Sequence, residues 1–146
     1  VALITKGHIM AMDQDDSAKP AQITQLVLYT DADGRARFRE NPERLEAGSP
    51  MVKLGALHSS AGFQFRESPC GYQSAFHCTE HPQWIVVLQG CLEIILQDGT
   101  ARQFTRGDYF FCADVLPAQA SFDPSIHGHR SRQIGDEVLQ TLFVRA

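Results

Sequence analysis

Six histidines are the residues of this 146-residue chain whose type and spacing could do chemistry. His8 lies in an N-terminal stretch that is given no structural weight, and His58 stands alone at the end of a predicted strand. The other four form two clusters, His77 with His81 and His127 with His129. On a strand, residues two or four apart point to the same side. His127 and His129 are therefore predicted to share a face, and His77 and His81 can do so if the strand stays straight up to Pro82. Neutral imidazole is a ligand for Zn, Fe, Ni and Cu, and less typically for Mn. Histidines also occur as ordinary hydrogen-bonded residues, and spacing alone does not separate the two uses.

Other chemistries find little support. Ser-His-Asp order, a phosphate-cradling glycine loop and a dinucleotide fingerprint are all missing, so nucleophilic hydrolysis and phosphoryl transfer are not expected. The formal charge is −4, and the ten arginines are scattered rather than clustered. A nucleic-acid footprint is thus not predicted. The strongest apolar run, Trp84 to Leu88, is far too short to span a bilayer. Four cysteines occur without a Cys-x-x-Cys pair. Cys91 and Cys112 lie in apolar runs and read as small core residues. Cys78 follows His77 directly, which on a strand puts it on the opposite face. With no secretory signal, reduced thiols and a cytoplasmic location are expected.

The elements that must position the histidines are strands. Helical periodicity is nearly absent, and short segments rich in β-branched and aromatic residues alternate with Gly, Pro, Asp and Asn. Residues 25–30, 35–40, 51–57, 63–66, 72–78, 84–89, 91–96, 102–104, 109–113, 127–133 and 139–145 are predicted strands, with a polar loop over 41–50. Asp98-Gly99 is a strong hairpin signal. Leu92, Ile94 and Leu96 alternate with their neighbours as in a half-buried strand. Trp84 to Leu88 is apolar on both faces, so its outer face must also leave water. A homodimer is the simplest account; coverage by the N-terminal strands is the other. Many short antiparallel strands in one chain of this length predict a single all-β domain, a sandwich, jelly roll or barrel. Residues 1–20 are read as a tail, with Met10 or Met12 as plausible natural starts, and 21–146 as the domain. The loop over 115–126 is long enough to be a lid or an ordered surface loop. Asp114 and Asp123 flank it and read as loop caps.

The segment Gly71-YQSAF-His77-CTEHP-Gln83-WIVVLQ-Gly90 resembles the first cupin motif, G-x5-H-x-H-x3-E-x6-G. Gly71, His77 and Gly90 fall in place, whereas Thr79 stands where the second His belongs and Gln83 where the Glu belongs. Gly107-Asp108 opens what is similar to the second motif, with a longer excursion through Pro117 and Pro124 to Gly128-His129. His129 is taken as the counterpart of that motif's His. The resemblance spans about residues 50–145 and implies a double-stranded β-helix, the cupin jelly-roll barrel. It looks closest to small single-domain bacterial cupins carrying Phe76-His77, Gln83-Trp84 and Gly128-His129-Arg130. A divalent metal (Zn, Fe, Ni or Mn) is implied at the barrel mouth, held by His77, Gln83 and His129, with His81 as fourth ligand and His127 and Thr79 nearby. Losing the carboxylate makes such a site more cationic, weakens Mn, and favours Zn, Ni or Fe(II). The implied activity is Lewis-acid or water- or oxygen-activating chemistry on a small organic molecule, of isomerase, cyclase, lyase or dioxygenase type. The alternative is a non-catalytic small-molecule binder or sensor with a degenerate metal site.

Overall fold

The computed structural model describes residues 19–146; His8 and residues 1–18 of the expected tail lie outside them. Eleven strands and no helix are present among the described residues. They run β1 (Gln22–Thr30), β2 (Ala36–Arg44), β3 (Ala47–Gly48), β4 (Lys53–Leu54), β5 (Gly62–Ser68), β6 (Gln83–Gln89), β7 (Cys91–Ile95), β8 (Ala101–Thr105), β9 (Tyr109–Ala113), β10 (Arg130–Ile134) and β11 (Leu139–Arg145). One sheet has the order β2-β1-β9-β6-β11-β5, a second has β10-β7-β8, and β3 pairs with β4 alone. Isolated bridges Gln73–Arg132 and His77–His129 tie segment 72–78 to the free edge of β10. Without β1 and β2, the sheets read β9-β6-β11-β5 and (72–78)-β10-β7-β8. That is the strand order of an eight-stranded jelly roll. β1 lies parallel to β9 and extends the larger sheet, and β2 closes its edge.

Between the sheets lie Leu28, Ile85, Val87, Leu92, Ile94, Leu96, Phe104, Phe110 and Leu139, all buried. Phe104 stacks on Phe110 at 4.3 Å between ring centroids. Aromatic and aliphatic side chains interdigitating in this way supply most of the driving force for folding. The inward side chains change character along the larger sheet. β6 runs from Val87 through Ile85 to Gln83, β9 from Phe110 through Cys112 towards Asp114, and β11 from Leu139 through Thr141 and Phe143 to Arg145. The register places Gln83 against Cys112 on one side and Arg145 on the other. One end of the interior is therefore apolar and the other polar.

Several boundaries differ from the sequence reading. The predicted loop over 41–50 is strand as far as Arg44, with Pro42 opposite Thr24. β2 is an edge strand, where a missing N–H breaks no second ladder. Of the predicted strand 51–57 only Lys53–Leu54 pairs. Segment 72–78 makes two bridges rather than a continuous ladder, and strand pairing in the last histidine segment begins at Arg130 instead of His127.

Candidate metal and ligand site

His77 and His129 come from distant parts of the chain and meet as a hydrogen-bonded antiparallel pair. The His77 N–H donates to the His129 carbonyl and the His129 N–H to the His77 carbonyl, each at 2.9 Å. Opposed residues of such a pair send their side chains to one face, and the rings lie 4.6 Å apart between centroids. Gly128 makes this approach possible. Its φ is +76°, and a Cβ built there would collide with the His77 carbonyl group. Only glycine combines that backbone conformation with so close a neighbour.

Each ring is held by its Nδ1 side. His129 Nδ1 lies 2.5 Å from Asp114 Oδ2, with Asp114 fully buried. His77 Nδ1 lies 3.0 Å from the Ala75 carbonyl. A carboxylate and a carbonyl can only accept, so Nδ1 is the donor in both rings, and the neutral form of each ring carries its lone pair on Nε2. Ligating histidines are oriented by acceptors in this way. The second Asp114 oxygen, Oδ1, accepts from the Cys112 thiol at 3.3 Å. Burial, and then the Asp114 charge, push the Cys112 thiol well above its usual range, which keeps it a protonated donor. Cys112, Asp114 and His129 offer one atom each within 4.8 Å of one another, a grouping that could hold a metal ion. As hydrogen-bonded, the trio already satisfies both carboxylate oxygens and turns the His129 lone pair away from itself.

Gln83 is oriented by a relay. Its Nε2 donates to Thr79 Oγ1 at 3.1 Å, and Thr79 Oγ1 donates to the His81 carbonyl at 2.9 Å. The amide nitrogen is thereby engaged and the amide oxygen is left as the available donor atom. His77, Thr79, His81, Gln83 and His129 all line one cavity of about 520 Å³ between the sheets. That volume lies in the range of small-molecule sites. His129 and Thr79 are buried at its floor, whereas His77 and His81 are exposed at its rim. Among the described residues the one His, Cys, Asp and Glu grouping whose ligand atoms all lie within 4.8 Å is thus Cys112, Asp114 and His129, while His77, His81 and Gln83 share the cavity wall with His129.

His127 does not join this group. It is buried, but its Nδ1 accepts the Asp123 N–H at 2.9 Å and its ring packs against Gly34 in the β1–β2 turn. The shared face expected of His127 and His129 fails because Gly128 lies between them with positive φ, so strict alternation begins only after it. Cys78, expected on the opposite face, lines the cavity because 72–78 is not a regular strand. Asp114, read as a loop cap, is fully buried and is the group that orients His129. The signal for it was present: in Phe110-Phe-Cys112-Ala-Asp114, simple alternation turns Asp114 inward with Phe110 and Cys112.

At the mouth, Arg66 and Arg145 line the same cavity from β5 and β11. The Arg66 guanidinium lies over the Phe143 ring at 3.7 Å from its centroid. Burial, and then the neighbouring Arg145 charge, hold Arg66 below its usual pKa.

No family model and no curated protein matches the sequence. Solved structures with a similar course of chain include a cupin-2 domain protein from Shewanella frigidimarina, at 12% identity over 70% of this chain and 78% of that one, with a TM-score of 0.40. A cupin 2 conserved barrel domain protein from Salinispora arenicola gives 19% identity over 80% and 78%, with a TM-score of 0.40. The cupin domain of Schizosaccharomyces pombe Cnp3 gives 18% identity over 86% of each chain, with a TM-score of 0.42. The strand order carries the assignment independently of these likenesses: a jelly roll of eight strands with paired imidazoles facing its interior, the chain has the fold of a small cupin.

Proposed function

We propose that this protein holds a divalent metal ion between His77 and His129 and acts on a small organic molecule in the adjoining cavity. The observation that carries this reading is the pair of imidazoles, 4.6 Å apart, each with its Nδ1 side engaged by an acceptor. Gln83 supplies a neutral amide oxygen, and His81 is the fourth ligand. Two or three imidazoles and an amide suit Zn, Ni or Fe(II) better than Mn. When bound, the ion supplies Lewis acidity and can activate water or oxygen. Asp114 keeps His129 in one tautomer, and Thr79 keeps the Gln83 amide turned. Because no carboxylate joins the donor set, Lewis-acid isomerisation, cyclisation or elimination is favoured over dioxygenase chemistry.

The test is metal content in protein purified without a polyhistidine tag. Near-stoichiometric metal, lost in both His77→Ala and His129→Ala, is the expected result. Metal-free protein, or metal retained in both variants, refutes the proposal. A second reading, a metal-free binder or sensor, draws on the Gln83–Thr79 hydrogen bond, which holds the amide in place without an ion. It expects a small molecule to bind with unchanged affinity after chelator treatment.

The proposal includes a second copy of the chain on the outer face of the six-stranded sheet. Phe63, Phe65 and Leu88 are exposed there, beside Trp84, Val86, Leu142 and Val144 in the registered strands. Contiguous apolar surface of this kind marks an interaction face. Sedimentation should give twice the monomer mass, and Phe63→Lys with Phe65→Lys should return it to the monomer. A cytoplasmic location belongs to the same reading and draws on the four free cysteines. No helix among the described residues is long and apolar enough to cross a membrane.

A further inference from the structure

Resting on that reading of the cavity, we propose that its ligand is an organic acid whose carboxylate binds between Arg66 and Arg145. The two guanidiniums sit on neighbouring antiparallel strands, both turned to the inner face, with Phe143 between them in the register. Like charges on one inner face repel; burial first, and then the Arg145 charge, hold Arg66 below its usual pKa. Three of the other eight arginines pair with carboxylates: Arg37 with Asp31 and Asp33, Arg132 with Glu93, and Arg44 with Glu46. Among the described residues no acidic side chain pairs with Arg66 or Arg145, and Glu80, the one carboxylate lining the cavity, is not in ion-pair contact with either.

Arg66 is also preset. Its flat face rests on Phe143, and its Nε donates to Gln64 Oε1 at 2.8 Å. This leaves the terminal N–H groups to a ligand and fixes the plane in which they lie. A planar carboxylate matches such a guanidinium, and a second cation beside it offsets the remaining charge. The arginines and the imidazoles line the same cavity, so an acid held at the mouth extends its other end towards His77 and His129. The chemistry recognised is an oxyanion on a small organic body; inorganic phosphate shares the oxyanion and lacks the body.

The experiment is calorimetric titration of the full chain with acetate, succinate, citrate and benzoate, each beside its neutral amide, and with inorganic phosphate. At least one carboxylate should bind, its amide should not, and phosphate should bind more weakly. Arg66→Gln and Arg145→Gln should each weaken the carboxylate about tenfold or more, with melting midpoint and metal content unchanged. Arg66→Lys, which keeps charge without the planar fork, should fall between. Binding of no carboxylate above its amide, binding indifferent to both glutamine variants, or tighter binding of phosphate overturns the proposal. The metal reading fails separately. If metal is absent and carboxylate binding still depends on the arginines, the clamp stands and the metal does not. If metal is present and binding ignores the arginines, the reverse holds.

Discussion

The two ends of the interior are built on the same strands and do opposite things. At one end Val87, Phe104 and Phe110 are closed off from water within the apolar cluster. At the other, Thr141 on β11, Asp114 just after β9, His129 just before β10 and Thr79 just before β6 are buried and polar, and the space between the sheets stays open. Close packing is where a fold gains most of its stability. Buried polar groups contribute little net and must be fully partnered. The contrast teaches that the jelly roll is stabilised from its apolar end and leaves its polar end free for binding, so damage at the two ends should be read by different instruments.

Phe110→Ala should break the comparison on the stability side. Its ring is fully buried and stacked on Phe104. Truncation should cost about 3–5 kcal/mol in urea unfolding, while protein that remains folded keeps its metal content. A loss of metal at constant fold would mean that the two ends are not separable.

Gly128→Ala should sharpen it from the other side. Backbone with positive φ costs a non-glycine residue about 1–3 kcal/mol, and the new methyl also meets the His77 carbonyl. The response is separation of segment 72–78 from β10. Metal or ligand affinity should drop much further than urea stability, and the His77 N–H should lose its protection from hydrogen exchange. Equal losses in both would place Gly128 in the general core.

Asp114→Asn is the smaller change and the more specific. Asn offers one acceptor where the carboxylate serves both His129 Nδ1 and the Cys112 thiol. Its amide N–H meets one of those donors and favours the other tautomer of His129. For an ion held on His129 Nε2, affinity should fall about 10–100-fold, measured by competition with a chelator, while His77 stays in register.

The same contrast explains what was legible in the sequence. Strict alternation in β7 and β9 exposes the apolar end, because a side chain with no polar partner can only face inward or outward. The polar end depends on partners far away in the chain. His77 and Gln83 stand on the motif, but nothing local shows that His127 turns to Gly34 while His129 turns to Asp114; a single glycine with positive φ decides it. Alternation along β9 turns Asp114 inward, whereas its place before the 115–126 loop makes it read as a cap. A carboxylate at the end of an apolar strand needs a partner, and His129 lies 15 residues further on. Pro42 hid part of β2 because its effect depends on whether the strand has one neighbour or two.

The smallest expected effect lies outside both ends, on the far face of the three-stranded sheet, and tests whether that sheet matters as more than a wall. Glu93 on β7 accepts from Gln103 on β8 at 2.8 Å and from Arg132 on β10 at 2.7 and 2.6 Å, so one carboxylate ties three strands together. The Gln103 hydrogen bond first, and then Arg132, hold its pKa below the ordinary 4.5, against the opposing effect of burial. In the unfolded chain the carboxylate loses these partners and binds its proton at the higher pH. The contribution is therefore fully present above the ordinary value and fades as pH falls through it towards the lower folded value. Arg132 is 43% exposed, so water screens the pair and the effect is on the order of 1 kcal/mol. Glu93→Gln should be less stable than the parent at pH 7 in urea unfolding, and the two curves should converge below about pH 4. If the difference instead persists unchanged into acid, Glu93 acts through its shape and its neutral hydrogen bonds, and its charge does not bind the three strands.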